Sequence, residues 1–135
     1  MPDRGYGFSY TDFADFRLIR TVTPPVVSED RLSIAVWRYF SMYETDLPFA
    51  VISDYRGVVD FADAAIPVLK AVIERSYTDD RLLAAAWVVG DNTQMRDLLR
   101  SVLVSAGRDP DLVVATDAEA VAILRGAGVA VPDGA

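Results

Sequence analysis

The residues best equipped for chemistry are acids at a few polar junctions between apolar runs. Asp54-Tyr55-Arg56-Gly57 follows one run, with Asp60 and Asp63 close behind. Gly90-Asp91-Asn92-Thr93 follows a second and Thr116-Asp117 a third. Such carboxylates suggest catalysis by Asp54, phosphoryl transfer onto it, or a hard cation such as magnesium held near Asp54 and Asp60. Sequence spacing does not make oxygen ligands converge, so no metal ligand, catalytic residue or cofactor is assigned.

Each junction residue also has a plainer role. Asp63, Asp91 and Thr116 stand where helices should begin, and their side-chain oxygens suit the free amides of a first turn. Gly57 suits a turn with positive φ, and Arg56 suits a solvent-exposed pairing with a nearby acid, worth about 0 to 1 kcal/mol. Asp54, at the end of a buried strand, has few amides to cap. A hydrogen bond back to its own turn is its plainest use and is preferred to catalysis.

What the chain lacks narrows the field further. It has no cysteine and no histidine. That removes disulfides, thiolate zinc sites, Ser-His-Asp and Cys-His nucleophiles, and the usual near-neutral base. Neither GxGxxG nor GxxxxGK[ST] occurs, so no nucleotide loop is indicated. A net charge of −7 repels phosphate backbones and anionic membranes, which argues against nucleic acid as a partner. Met1 to Tyr6 shows no apolar secretory core, and no stretch reaches the roughly 20 apolar residues of a membrane span, so a cytoplasmic location is expected.

The elements that would position these junctions alternate. Tyr6, Phe8 and Tyr10 suggest a short strand returning through residues 11–15 as a hairpin to a strand at Phe16–Val22, which Pro24-Pro25 ends. Ser28 caps a helix whose stripe is Leu32, Ala35, Val36, Tyr39, Phe40 and Tyr43, read as core. Pro48–Ser53 is nearly all apolar, as for a strand covered on both faces. A helix capped by Asp63 follows, starting near Asp63 or Ala64 because only a first turn can spare the amide missing at Pro67. Leu82–Val89 is the next strand, and an Asp91/Gln94 capping box opens a helix over Met95–Leu103 that Gly107 ends. Leu112–Ala115, a Thr116/Glu119 box and a helix closed by Gly126 complete the domain, with a loose tail after it.

A chain of 135 residues with this alternation predicts one α/β domain with its core over about residues 14–125. The sheet should be mostly parallel, of about four to five strands with about four helices, with the N-terminal strand or hairpin at or near one edge. Loops leaving the C-terminal strand ends then meet on one rim, which makes Asp54, Arg56, Gly57, Asp60, Asp63, Asp91 and Asn92 the candidate binding residues.

The segment from Asp54 to Leu69 resembles the central segment of STAS domains, the fold of anti-sigma factor antagonists and sulphate-transporter tails, which typically reads D-L-S-G-V-x-x-I-D-S-S-G-L-x-x-L. Asp54, Gly57 and Val58 coincide with it, as do the apolar Phe61, Ile66 and Leu69. Val114 to Ala120 looks like the family's last strand and helix, and the group most similar is the divergent one related to lipid-binding Sec14-type domains. The resemblance implies a STAS-like fold and a regulatory role exercised through another protein, with a homodimer left open. Where regulatory members carry a phosphorylatable serine, this chain reads Ala62-Asp63-Ala64, so switching by serine phosphorylation is not expected and Asp63 supplies at most a fixed charge. The leading expectation is therefore a non-enzymatic protein-interaction module. A domain binding a small apolar or lipid-like ligand is the alternative, and a phosphoacceptor at Asp54 the second alternative.

Overall fold

A computed structural model describes residues 6–135. Residues 1–5, read above as lacking a secretory core, lie outside the described residues. In chain order the elements are β1 (Gly7–Asp12), β2 (Arg17–Val22), β3 (Val26–Val27), α1 (Glu29–Ser41), β4 (Phe49–Asp54), β5 (Asp60–Phe61), α2 (Ile66–Tyr77), β6 (Leu82–Val88), α3 (Thr93–Ser105), β7 (Val113–Val114) and α4 (Asp117–Gly126). The main sheet runs β1-β2-β4-β6-β7. β1 is antiparallel to β2 and every later pairing is parallel. β3 and β5 form a separate two-stranded parallel ribbon that the sequence reading did not anticipate. The chain is thus a single α/β domain with the mostly parallel sheet and N-terminal edge strand expected of it.

Alternation along the strands sorts their side chains into two layers. Ile19, Val51, Ala85 and Trp87 share one cluster with Leu32 of α1, Leu69 and Ile73 of α2, and Leu99 and Leu103 of α3. Leu18, Ala50, Ile52, Ala86 and Val88 face the other way, onto Ala120 and Leu124 of α4. β4 is therefore paired along both edges and covered on both faces, as its apolar run predicts.

Helix starts follow local chemistry, with two corrections. The Ser28 hydroxyl accepts the Arg31 amide (3.3 Å) and the Thr116 hydroxyl accepts the Glu119 amide (3.1 Å), as expected. Asp63, expected as a cap, instead lies inside a 3-10 turn, Asp63–Ala65, which Ala62 precedes without any side-chain cap. The ribbon causes this: the Ala62 amide is held by the Val27 carbonyl (2.9 Å), so the chain is still extended there and Asp63 is already within the turn. α2 begins at Ile66, with Pro67 in the first turn where its missing amide is harmless. Asn92, not Asp91, caps α3, its Oδ1 accepting the Met95 amide (3.1 Å).

The C-terminal end also differs from expectation. The left-handed residue that stops α4 is Gly128 (φ 92°), not Gly126, which is the last residue of the helix. The tail is not loose. Val129 and Val131 are buried against the α4 layer, and the Arg125 guanidinium donates to the Val131 carbonyl (2.8 Å).

The packing of α4 and the C-terminal segment on the sheet can be tested. Leu124→Ala should cost about 2–5 kcal/mol by chemical denaturation. Truncation after Gly128, which removes Val129 and Val131, should lower the unfolding midpoint clearly; an unchanged midpoint would mean that the tail carries no packing.

Candidate functional site

The rim forms at the C-terminal ends of β4, β6 and β7, and hydrogen bonds fix it from within. Asp54 Oδ1 accepts the Arg56 amide (2.9 Å) and Nε (3.1 Å), while Oδ2 accepts Arg56 Nη2 (2.8 Å). Asp54 thus closes its own turn, the plain role preferred above. The Val58 amide donates to the Tyr55 carbonyl (3.2 Å), which puts Arg56 and Gly57 at the corner of a turn where neither has positive φ. The expectation for Gly57 is thereby corrected. The left-handed glycine is Gly90 (φ 59°), and a Cβ built there would lie 3.2 Å from Arg56 Cγ. Gly90 is thus needed both for its backbone and for the room it leaves Arg56.

Asn92 joins two junctions. While its Oδ1 caps α3, its Nδ2 donates to the Val58 carbonyl (2.7 Å). An aspartate cannot do both, because a carboxylate has no N–H to give. Asp117 is tied as well, its Oδ1 accepting Arg20 Nη1 (2.6 Å).

Of the predicted site residues, Asp54, Arg56, Gly57 and Asn92 come together. Asp91 lies exposed beside them, after Gly90. Asp60 sits on β5 in the ribbon and Asp63 on the following 3-10 turn. Among the described residues neither is hydrogen-bonded to that cluster, and no group of three acids there is placed to hold a metal ion.

Burial pushes the Asp54 carboxyl up, but the side-chain and backbone hydrogen bonds from Arg56 outweigh it and hold the group below the usual carboxylate range. A carboxylate with both oxygens occupied by one guanidinium is a structural anchor and a poor nucleophile or base.

The second feature, which the sequence reading did not find, is a cavity between the sheet and α1 and α2. Its volume is about 70 Å³, or about 680 Å³ when the space out to and including the open mouth is counted. Register explains the floor. Phe8, Thr21, Ser53 and Trp87 lie side by side across β1, β2, β4 and β6, and one layer back Tyr10, Ile19, Val51 and Ala85 do the same. Thr21, Ser53 and Ala85 are small where a parallel sheet usually carries large branched residues, and Ala35 and Ser76 are small on the helices above. The void is the space those side chains leave.

Hydroxyls punctuate this apolar wall. Tyr43 donates to Ser76 Oγ (3.0 Å), Ser76 donates onward to the Val72 carbonyl (2.8 Å), and Tyr39 is bonded to Tyr43. Tyr55 has Thr23 beside it. Burial raises Tyr39, Tyr43 and Tyr55 above their ordinary values, so all three stay neutral at physiological pH. Among the described residues, every side chain lining the cavity is uncharged.

The signal that could have revealed this cavity was small: two hydroxyl residues, Thr21 and Ser53, at inward positions of otherwise apolar strands. Tyr39, Phe40 and Tyr43 were read as core, which describes their packing but not the space beside them. Comparison with protein-family models finds no match, and comparison with curated proteins finds none either.

Two measurements check the rim. Asn92→Asp keeps the cap but sets a carboxylate against the Val58 carbonyl, and should cost about 1–3 kcal/mol in stability, whereas Asn92→Ala loses both bonds. The folded Asp54 carboxyl lies below the unfolded value of about 3.9, so its contribution is complete above that pH and is lost as pH falls through the lower folded value. In a carboxyl NMR titration Asp54 should have its midpoint below about 3.9 and shift upward in Arg56→Gln, where burial acts with less opposition.

Proposed function

We propose that this chain is a non-catalytic, STAS-like binding domain of the cytoplasm whose ligand is a small apolar molecule held between the sheet and α1 and α2. The observation that carries the reading is the cavity. Protein interiors are close-packed, and a void several times the ~10–15 Å³ that one water molecule needs is not an ordinary packing remainder. Like small-molecule pockets it is mainly apolar with a few polar groups. What supports the STAS-like part is the order of elements and the position of the Asp54 to Leu69 segment, which spans the end of β4, the rim turn and the start of α2.

The protein-interaction reading, the leading one from sequence, keeps one observation in its favour. Asp54, Arg56, Asn92 and the Val58 carbonyl are hydrogen-bonded into a fixed platform, and Arg56, Gly57, Asp60, Asp63 and Asp91 are exposed. A preorganised charged surface suits a partner, since little ordering remains for binding to impose. The phosphoacceptor reading has no such support, because both Asp54 oxygens are engaged by Arg56.

Native mass spectrometry of protein purified without detergent should show a bound small molecule, and Ala85→Leu should abolish the adduct while changing stability by no more than about 1 kcal/mol, because it fills empty space rather than overpacking a full core. Only the bare chain mass, together with a strongly destabilised Ala85→Leu, would count against the cavity as ligand space. For the rim, an Arg56→Glu/Asp63→Lys double variant that keeps its circular dichroism should lose whatever protein wild type captures from native lysate. Equal capture by both would remove the rim as the docking surface.

A further inference from the structure

We propose that the cavity selects a compact neutral molecule bearing one hydroxyl or carbonyl group, and that Thr21 and Ser53 are the residues that hold that group. The inference rests on the ligand-binding reading above and adds the chemical class of the ligand.

Charge is decided by the lining. Every described side chain there is uncharged, so a carboxylate, phosphate or ammonium would give up its hydration for a described wall that offers no counter-ion. Polarity is decided by which hydroxyls are already engaged. Tyr39, Tyr43 and Ser76 satisfy one another and end on the Val72 carbonyl, and Tyr55 stands beside Thr23. Thr21 and Ser53 differ from these as an adjacent pair. Each is only 8% exposed, each faces the cavity, and they are direct neighbours across β2 and β4. Neither side-chain oxygen makes a hydrogen bond among the described residues, and neither is sealed off from the cavity space.

Each hydroxyl therefore has a free hydrogen-bonding position turned to the cavity, which water or a ligand can fill. Two adjacent hydroxyls can both donate to a carbonyl oxygen, or one can donate and the other accept with an alcohol. Phe8 and Trp87, at the two ends of the same row, flank that polar pair, so the rest of the ligand meets aromatic and aliphatic carbon. The volume restricts the body as well. At about 70 Å³ the cavity is smaller than the ~150 Å³ of an apolar cavity known to take benzene, so the molecule is compact and its far end uses the mouth.

Five probes of similar small size, titrated into the full chain by NMR, separate the possibilities: 2-propanol, acetone, propane, acetate and isopropylammonium. The alcohol and ketone should bind saturably and shift the signals of Thr21, Ser53, Ala85 and Trp87, and the two ions should not. The alcohol should bind about tenfold more tightly than the hydrocarbon, and that advantage should vanish in Thr21→Val/Ser53→Ala with hydrocarbon binding retained. If the hydrocarbon binds as tightly as the alcohol in the wild type, or either ion binds equally well, the polar selection is wrong and the apolar cavity survives as a ligand site. If no probe shifts the cavity residues, both readings fall. The wild-type comparison needs no variant, and the single variants Thr21→Val and Ser53→Ala serve if the double variant does not fold.

Discussion

A central strand that is paired on both edges and dry on both faces sets the terms for the whole molecule. β4 accepts polar side chains only where its cover thins, at its C-terminal end, and that is where Ser53 and Asp54 stand. Because successive residues point to opposite faces, these two neighbours serve different places. Ser53 turns into the cavity, while Asp54 turns outward to the rim and binds Arg56. One residue later Tyr55 points inward again, into the cavity wall. The cavity and the rim are thus the two sides of one strand end.

The two places are stabilised in opposite ways. The rim gains from saturation: each bond there satisfies a group that the turn would otherwise leave open, and Gly90 lets Arg56 lie flat across the end of β6. The cavity forgoes packing. Small side chains at Thr21, Ser53, Ala35 and Ala85 surrender contacts that larger ones would make, and an interior that leaves this space forfeits dispersion on every wall around it. Native domains are stable by only about 5–15 kcal/mol, so such a sacrifice is a substantial fraction of the whole. That is the physical reason to connect the void with function.

Much of the fold could be read from the sequence because its signals are local. The apolar run at Pro48–Ser53, the caps Ser28 and Thr116, and Pro67 in a first turn act through neighbours a few residues away, and the structure agrees with them. The failures share a different cause. Asn92 rather than Asp91 caps α3 because of a bond to Val58, thirty-four residues earlier. Asp63 falls inside its turn because β5 pairs with β3, and Val129 and Val131 are buried because α4 folds its own C-terminal segment back against the sheet. Each needs a contact that no local window contains. The rim was legible as a place, since topology alone gathers strand ends; which residues meet there was not. The cavity was legible only as a faint anomaly, because empty space is a relation among four strands and two helices and has no residue of its own.

The titrating groups carry a consequence for how such a molecule behaves in a cell. Histidine and cysteine, the side chains that ordinarily change charge near neutrality, are absent. Asp12, Asp54 and Asp79 are held down by arginines, and Tyr39, Tyr43 and Tyr55 are pushed up by burial. These three acids and three phenols have thereby been moved away from the physiological window, in opposite directions. From mildly acidic to mildly alkaline surroundings Tyr39 and Tyr55 therefore stay neutral in the cavity wall, while Asp54 stays charged at the rim. The cavity wall and the rim thus each keep one charge state over that range.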